Sequence, residues 1–170
     1  NFSARRELGG ACCAYVHGEK VVDLWGGIRN RKTGEPWERG TMVIVYSASK
    51  GLAAMTLAIA HSRGWLDYEE RAAHYWPSFA QHGKEAITVR QLLAHQAGLF
   101  ALDEPLDRSL VADADRLGRV LARQYPAWEP GSWQAYHGIT LGFYQGELFS
   151  SWRGNLFVGA LAGQALVRLT

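Results

Sequence analysis

One stretch, Leu52-Ala53-Ala54-Met55-Thr56-Leu57-Ala58-Ile59-Ala60, is apolar on almost every side of a helix. A helix of that kind lies inside a protein rather than on its surface. The run predicts a central helix over Ser47–Arg63, stopped by Gly64. At its start stand Ser47 and Lys50. Residues three apart share a helix face, with Cβ atoms about 5–6 Å apart, so the lysine amine can reach the serine hydroxyl. A serine hydroxyl is a poor nucleophile until a neighbouring base takes its proton. Lysine serves as that base when burial or nearby positive charge keeps it partly neutral. The reading places both residues at the buried N-terminal end of the helix, where N–H groups and the helix dipole favour an oxyanion. A solvated serine cap followed by an exposed lysine is the plainer alternative, and the rest of the chain must decide between them.

Composition narrows the classes. The chain has 170 residues, 48% hydrophobic and 20% charged, with a net charge of +2. That suits a soluble globular domain with a real core. No cluster of Lys and Arg interleaves with aromatics, so nucleic acid is not an expected partner. No apolar run reaches the ~18–20 residues of a membrane span. Cys12 and Cys13 are adjacent and form neither an ordinary disulfide nor a metal spacing. They fit a reducing, cytoplasmic setting. The chain starts at Asn1, which suggests an incomplete N-terminus.

Alternation predicts strands over Gly10–His17 and Lys20–Gly27, joined by a turn at Gly18-Glu19. Residues 29–40 read as loop, and Met42–Tyr46 as a short β-branched run into Ser47. Thr88 is a good cap for a helix over Val89–Gln96, with Gly98 as its stop. Leu110, Val111, Leu117, Val120 and Leu121 predict one helix over Leu106–Gln124. A last helix is expected over Ile139–Leu148, and no repeat is present.

Several blocks together carry a family likeness. Val45-Tyr46-Ser47-Ala48-Ser49-Lys50-Gly51 resembles the S-x-x-K turn of serine β-lactamases and penicillin-binding proteins. Gly64-Trp65-Leu66-Asp67 resembles the G-x-L-D that follows. The stretch from Ile87 to Leu99 resembles the I-T-V-R-x-L-L-x-H-x-[SA]-G-L block, and Pro130-Gly131 with Tyr136 resembles P-G…Y. The likeness is greatest to class C β-lactamases and the family VIII carboxylesterases that share their fold. It implies an α/β (α+β) architecture of β-lactamase/transpeptidase type, an antiparallel sheet with helices. Residues 1–149 would be its N-terminal and helical part. The tail, 150–170, does not resemble the family.

The resemblance implies Ser47 as the acylated nucleophile and Lys50 as the base or the partner that holds the base. It implies Tyr136 as the tyrosine whose phenolate takes the serine proton. A phenol needs adjacent positive charge to do this at neutral pH. The expected substrate is a small-molecule ester or amide, with no cofactor and no metal. Gly138 stands where the lactamase Y-x-N motif has Asn, which favours a carboxylesterase over a β-lactamase or D-Ala-D-Ala peptidase. The family's third motif would lie beyond the last residue. Lys32-Thr33-Gly34 precedes Ser47 and reads as a loop turn. A truncated or frameshifted member is therefore expected, with an inactive binding fragment as a further alternative.

The other tempting residues have plainer readings. His95 is expected to pack or hydrogen-bond near the site, and His137 to be a neighbour carried by the backbone. Asp67 should turn the chain after the central helix. Asp103, Glu104 and Asp107 should be a solvated helix start rather than a metal site. Trp128 and Trp133 are expected in the core, with cleft lining as the alternative.

Overall fold

The computed structural model describes residue 2, residues 4–149, and the backbone of 156–161 and 164–169. The chain divides into two compact units, Asn1–Ile44 and Val45–Thr170.

The first unit is built on one hairpin. Strand β1, Gly9–Val16, pairs antiparallel with β2, Glu19–Gly27. The turn falls on His17-Gly18, one residue earlier than expected. Both residues have positive φ, 51° and 85°. Two left-handed residues match the twist of a two-residue hairpin, and Val16 then faces Glu19. Ala14 faces Val22 while Tyr15 faces Lys20, so Val21 is a bulged extra residue. The following loop is pinned by an isolated bridge between Ile28 and Pro36.

The second unit carries the helices α1 Ser49–Ser62, α2 Ala72–Tyr75, α3 Val89–Leu93, α4 Arg108–Ala112, α5 Ala114–Arg123 and α6 Thr140–Leu148. Its core joins Leu57 of α1, Leu92 of α3, Leu121 of α5 and Tyr144 of α6, with Phe79 stacked on Trp76. The α1 helix ends at Gly64, whose φ of 71° is left-handed and suits glycine. Asp67 then turns the chain, accepting from the Glu69 N–H at 3.0 Å. Thr88 starts α3 with a capping box: its hydroxyl accepts from Gln91 N, and the Gln91 side chain accepts from Thr88 N.

Further expectations need correction. The helix over 106–124 is two helices. Asp107 caps α4 by accepting from Leu110 N, and Asp113 leaves helical geometry to cap α5 by accepting from Arg116 N. A cap residue takes extended backbone, so a second cap inside the run splits it. The α1 helix is not buried all round. It buries Ala53, Thr56, Leu57 and Ala60, while Leu52, Met55 and Ile59 lie open on another stripe. Helix packing covers one face only, and apolar composition alone does not say how many faces find partners. Trp133 is 72% exposed rather than in the core, and Trp128 is half-buried and stacked on Phe100.

The 150–170 tail lies outside the described residues except for the backbone of β3, Leu156–Leu161, and β4, Gln164–Leu169, which pair antiparallel. Among the described residues no helix is long and apolar enough to cross a membrane.

Candidate active site

Ser47 sits in a 3₁₀ turn, Tyr46–Ala48, directly before α1. Tyr46 has φ of 45°, a left-handed conformation in which a bulky residue is strained by about 1–3 kcal/mol. The Ser49 hydroxyl donates to the Tyr46 carbonyl at 2.6 Å, and Ala48 N–H donates to Val45 O at 3.1 Å. These bonds hold the turn in place beside Lys50. Lys50 Nζ donates to Ser47 Oγ at 3.2 Å and to the Gly138 carbonyl at 2.7 Å. Ser47 is exposed and Lys50 half-buried. The expectation of a buried pair fails for the serine, because the 3₁₀ turn precedes the packed part of α1.

Tyr136 is brought to the same place from a distant part of the chain. Its ring centroid lies 5.0 Å from Lys50 Nζ. Hydrogen bonding with Ser47 first, with Lys50 next, and then the Lys50 charge hold its phenol below the usual range.

The loop after α3 carries the Tyr136 segment. Gly98 O accepts from Ala127 N at 2.9 Å, Gln96 O from Gly131 N at 2.9 Å, and His95 O from Ala135 N at 3.2 Å. Gly98 has φ of 74°, and a Cβ there would lie 3.0 Å from Ala127 N, so close backbone approach requires glycine. The His95 ring closes the clamp: its Nδ1 accepts from His137 N–H at 3.0 Å. That bond leaves the ring proton on Nε2. Burial, and then the Lys50 charge, hold the His95 imidazole below its ordinary pKa.

His137 is fully buried, and neither ring nitrogen has a hydrogen-bond partner. Burial, and then His95, push its pKa down to about 4, so the ring is neutral at pH 7. The sequence marks His137 as a neighbour of Tyr136 but carries no signal of its orphaned nitrogens. It also misses the Gly138 carbonyl as a lysine acceptor, since every residue has a carbonyl. Lys84 was missed as well. It is fully buried, with Nζ donating to Gln81 O at 2.9 Å and Gln124 O at 2.7 Å. The acidic residues 103, 104 and 107 are occupied locally. Asp103 accepts from the Gln124 side chain, Glu104 pairs with Arg116, and Asp107 caps α4.

A strained turn, a serine, a lysine and a tyrosine thus meet at one end of α1. The Beta-lactamase family profile matches residues 1–155. The chain belongs to the Beta-lactamase family. It is 37% identical over 147 residues to Esterase/beta-lactamase LipL of Mycobacterium tuberculosis, covering 86% of this chain and 34% of LipL. A crystal structure of a family VIII carboxylesterase superposes with a TM-score of 0.85 at 39% identity, covering 91% of this chain and 42% of the other. A penicillin-binding protein homolog from Caulobacter crescentus gives 0.84 at 38% identity, with the same coverage of 91% and 42%. This Beta-lactamase-family chain therefore has the β-lactamase/transpeptidase-like fold and spans about a third of the length of the curated relative.

Proposed function

We propose that this Beta-lactamase-family chain carries the acylation machinery of a serine hydrolase acting on carboxylic esters. The observation that carries the reading is the position of Lys50. Its Nζ bridges Ser47 Oγ and the Gly138 carbonyl beneath the Tyr136 ring. Donating to the serine oxygen and to a carbonyl, Lys50 holds the Ser47 hydroxyl beside Tyr136. Tyr136 is the base, its pKa lowered by hydrogen bonding with Ser47 first and by Lys50 next.

In acylation, the Tyr136 phenolate takes the Ser47 proton as Oγ bonds to the ester carbonyl carbon. The carbonyl oxygen becomes an oxyanion. The Ser47 N–H, in the first turn of its 3₁₀ segment, is one donor for it. Collapse breaks the carbon–oxygen bond to the alcohol, and Tyr136 returns the proton to that oxygen. Water, deprotonated by the same phenolate, then attacks the acyl-serine; the carbon–Oγ bond breaks, Ser47 Oγ takes the proton back from Tyr136, and the acid leaves. Gly138 offers no side-chain amide to a lactam substituent, which favours esters. The name of one similar structure, a family VIII carboxylesterase, points the same way, whereas LipL is named for both activities.

Turnover of p-nitrophenyl butyrate against nitrocefin, each with the Ser47→Ala variant as control, tests the reading. Ser47-dependent ester turnover exceeding nitrocefin turnover is expected. Nitrocefin as the better substrate, or ester turnover unchanged by Ser47→Ala, would contradict it.

A further inference from the structure

The backbone N–H of His137 stands between two groups that the proposed reaction uses. Tyr136 precedes it, and the Gly138 carbonyl, which accepts from Lys50 Nζ at 2.7 Å, follows it. This N–H donates to His95 Nδ1 at 3.0 Å. A ring nitrogen accepts only through a free lone pair, so the bond exists only while His95 is neutral. Protonation puts a hydrogen on Nδ1, and two donors then face each other. The other ties of this segment do not change with pH. Ala135 N–H donates to His95 O at 3.2 Å and the Gln134 side chain to Ala94 O at 3.0 Å, both carbonyl acceptors.

The ring is within reach of solvent. His95 is half-buried and lines an open groove of about 500 Å³. The charged and titratable groups around it come from several elements. Lys50 of α1, Tyr68 and Arg90 of α3 share the groove lining, and α6 adds only the neutral Gln145. Arg90 is itself paired with Glu69. The Tyr136 and His137 rings lie 5.1 and 5.0 Å from the His95 ring. Two of these groups are cations and no carboxylate lines the groove, so the surroundings oppose an imidazolium until the medium is acid.

We infer that neutral His95 is a positioning residue for Tyr136, and that its protonation frees the Tyr136–Gly138 segment and switches acylation off in acid. The inference rests on the proposed serine hydrolase reading, in which Tyr136 is the base. It adds a second proton to the acid limb of activity. The first belongs to the phenol, which must ionise to act. The second belongs to His95 and binds below the ordinary histidine value of 6.5, because burial and then the Lys50 charge favour the neutral ring. One controlling proton lowers the rate about tenfold per pH unit, and two lower it towards about a hundredfold.

The test must separate His95 from His137, a buried ring that also titrates in acid. His137→Leu removes that ring and keeps the backbone N–H. Ser47 labelling by a fluorophosphonate is followed from about pH 4.5 to 8 in His137→Leu and in His137→Leu/His95→Asn. Asn tolerates the φ of 64° at this position and carries an acceptor that does not titrate. With histidine kept at this position, the slope of log rate against pH should steepen from about one towards two below about 6.5. With His95→Asn it should stay near one. In the unaltered chain, the ring nitrogen shifts of His95 and the amide shift of His137 should titrate together by NMR, a readout that stands even if the double variant fails to fold. A slope that never steepens in His137→Leu, one that steepens equally with His95→Asn, or a His95 ring that titrates without moving the amide would overturn the switch alone. No labelling of Ser47 at any pH would overturn the hydrolase reading and the switch with it.

Discussion

The backbone N–H of His137 donates to Nδ1 of His95 at 3.0 Å, and this bond ties the Tyr136 segment to the loop after α3. His95 holds a φ of 64° to make it. Removing the ring leaves a buried N–H without an acceptor, which costs about 1–3 kcal/mol. His95→Ala should lower stability by that order in urea unfolding and slow Ser47 labelling. His95→Asn should recover part of both, because Asn tolerates positive φ and carries a short acceptor. Equal loss in the two variants would argue that ring packing, rather than the hydrogen bond, is what matters.

Lys50 is placed to lower the pKa of the Tyr136 phenol. Hydrogen bonding from Ser47 and Lys50 and the Lys50 charge lower the Tyr136 pKa. The acid limb of kcat/KM should therefore lie below the usual tyrosine value of about 10, with activity rising as the phenol ionises. Lys50→Ala should move that limb to higher pH and reduce kcat/KM at pH 7 by roughly 10²–10⁴-fold. A limb that stays in place in Lys50→Ala would remove the lysine from this role.

His137 makes stability depend on pH. Its folded pKa is pushed down to about 4 by burial first and His95 second, against an ordinary value of 6.5. The groups that face it are the His95 ring, 5.0 Å away, and the Lys50 ammonium on the carbonyl of the next residue. Between these pKa values the unfolded chain binds more protons than the folded one, so stability falls as pH drops from 6.5 towards 4. It is fully present above 6.5. The loss approaches about 3 kcal/mol. In His137→Leu the dependence should flatten, and stability at pH 7 should be unchanged or higher, since both orphaned nitrogens are gone. Urea midpoints at pH 4.5 and 7 for both proteins check this.

Lys84 is a structural cation. Its ammonium joins the Gln81 and Gln124 carbonyls, and Phe79 lies 5.3 Å beneath it. Burial drives its pKa down to about 8. Lys84→Met keeps the length of the side chain but strips both carbonyls of their donor. Stability should fall by about 2 kcal/mol in chemical denaturation while the Tyr136 pH limb stays in place.

Much of this arrangement was legible where local chemistry decides geometry. The Ser47–Lys50 spacing, the Thr88 cap and the helix ending at Gly64 follow from helix periodicity and capping, which act within a few residues. The strands around His17-Gly18 followed from alternation, although the turn moved by one residue because His17 adopts positive φ. The division of α4 from α5 was missed because Asp113 looks like any polar residue on a helix until its side chain is seen to cap Arg116 N. The open stripe of Leu52, Met55 and Ile59 depends on which neighbours pack on α1, and composition cannot report that. The orphaned His137 ring and the Gly138 acceptor depend on contacts about 40 and 90 positions away in the chain, which no local pattern encodes.

The central claim is that Ser47 is a nucleophile activated by Tyr136 and Lys50. Its most direct test is the intact mass of the chain after incubation with a fluorophosphonate, followed by peptide mapping. The account predicts one adduct per chain on the peptide bearing Ser47, absent in Ser47→Ala and formed at least about a hundredfold more slowly in Tyr136→Phe. An adduct on another residue, no adduct at all, or an undiminished rate in Tyr136→Phe would contradict it.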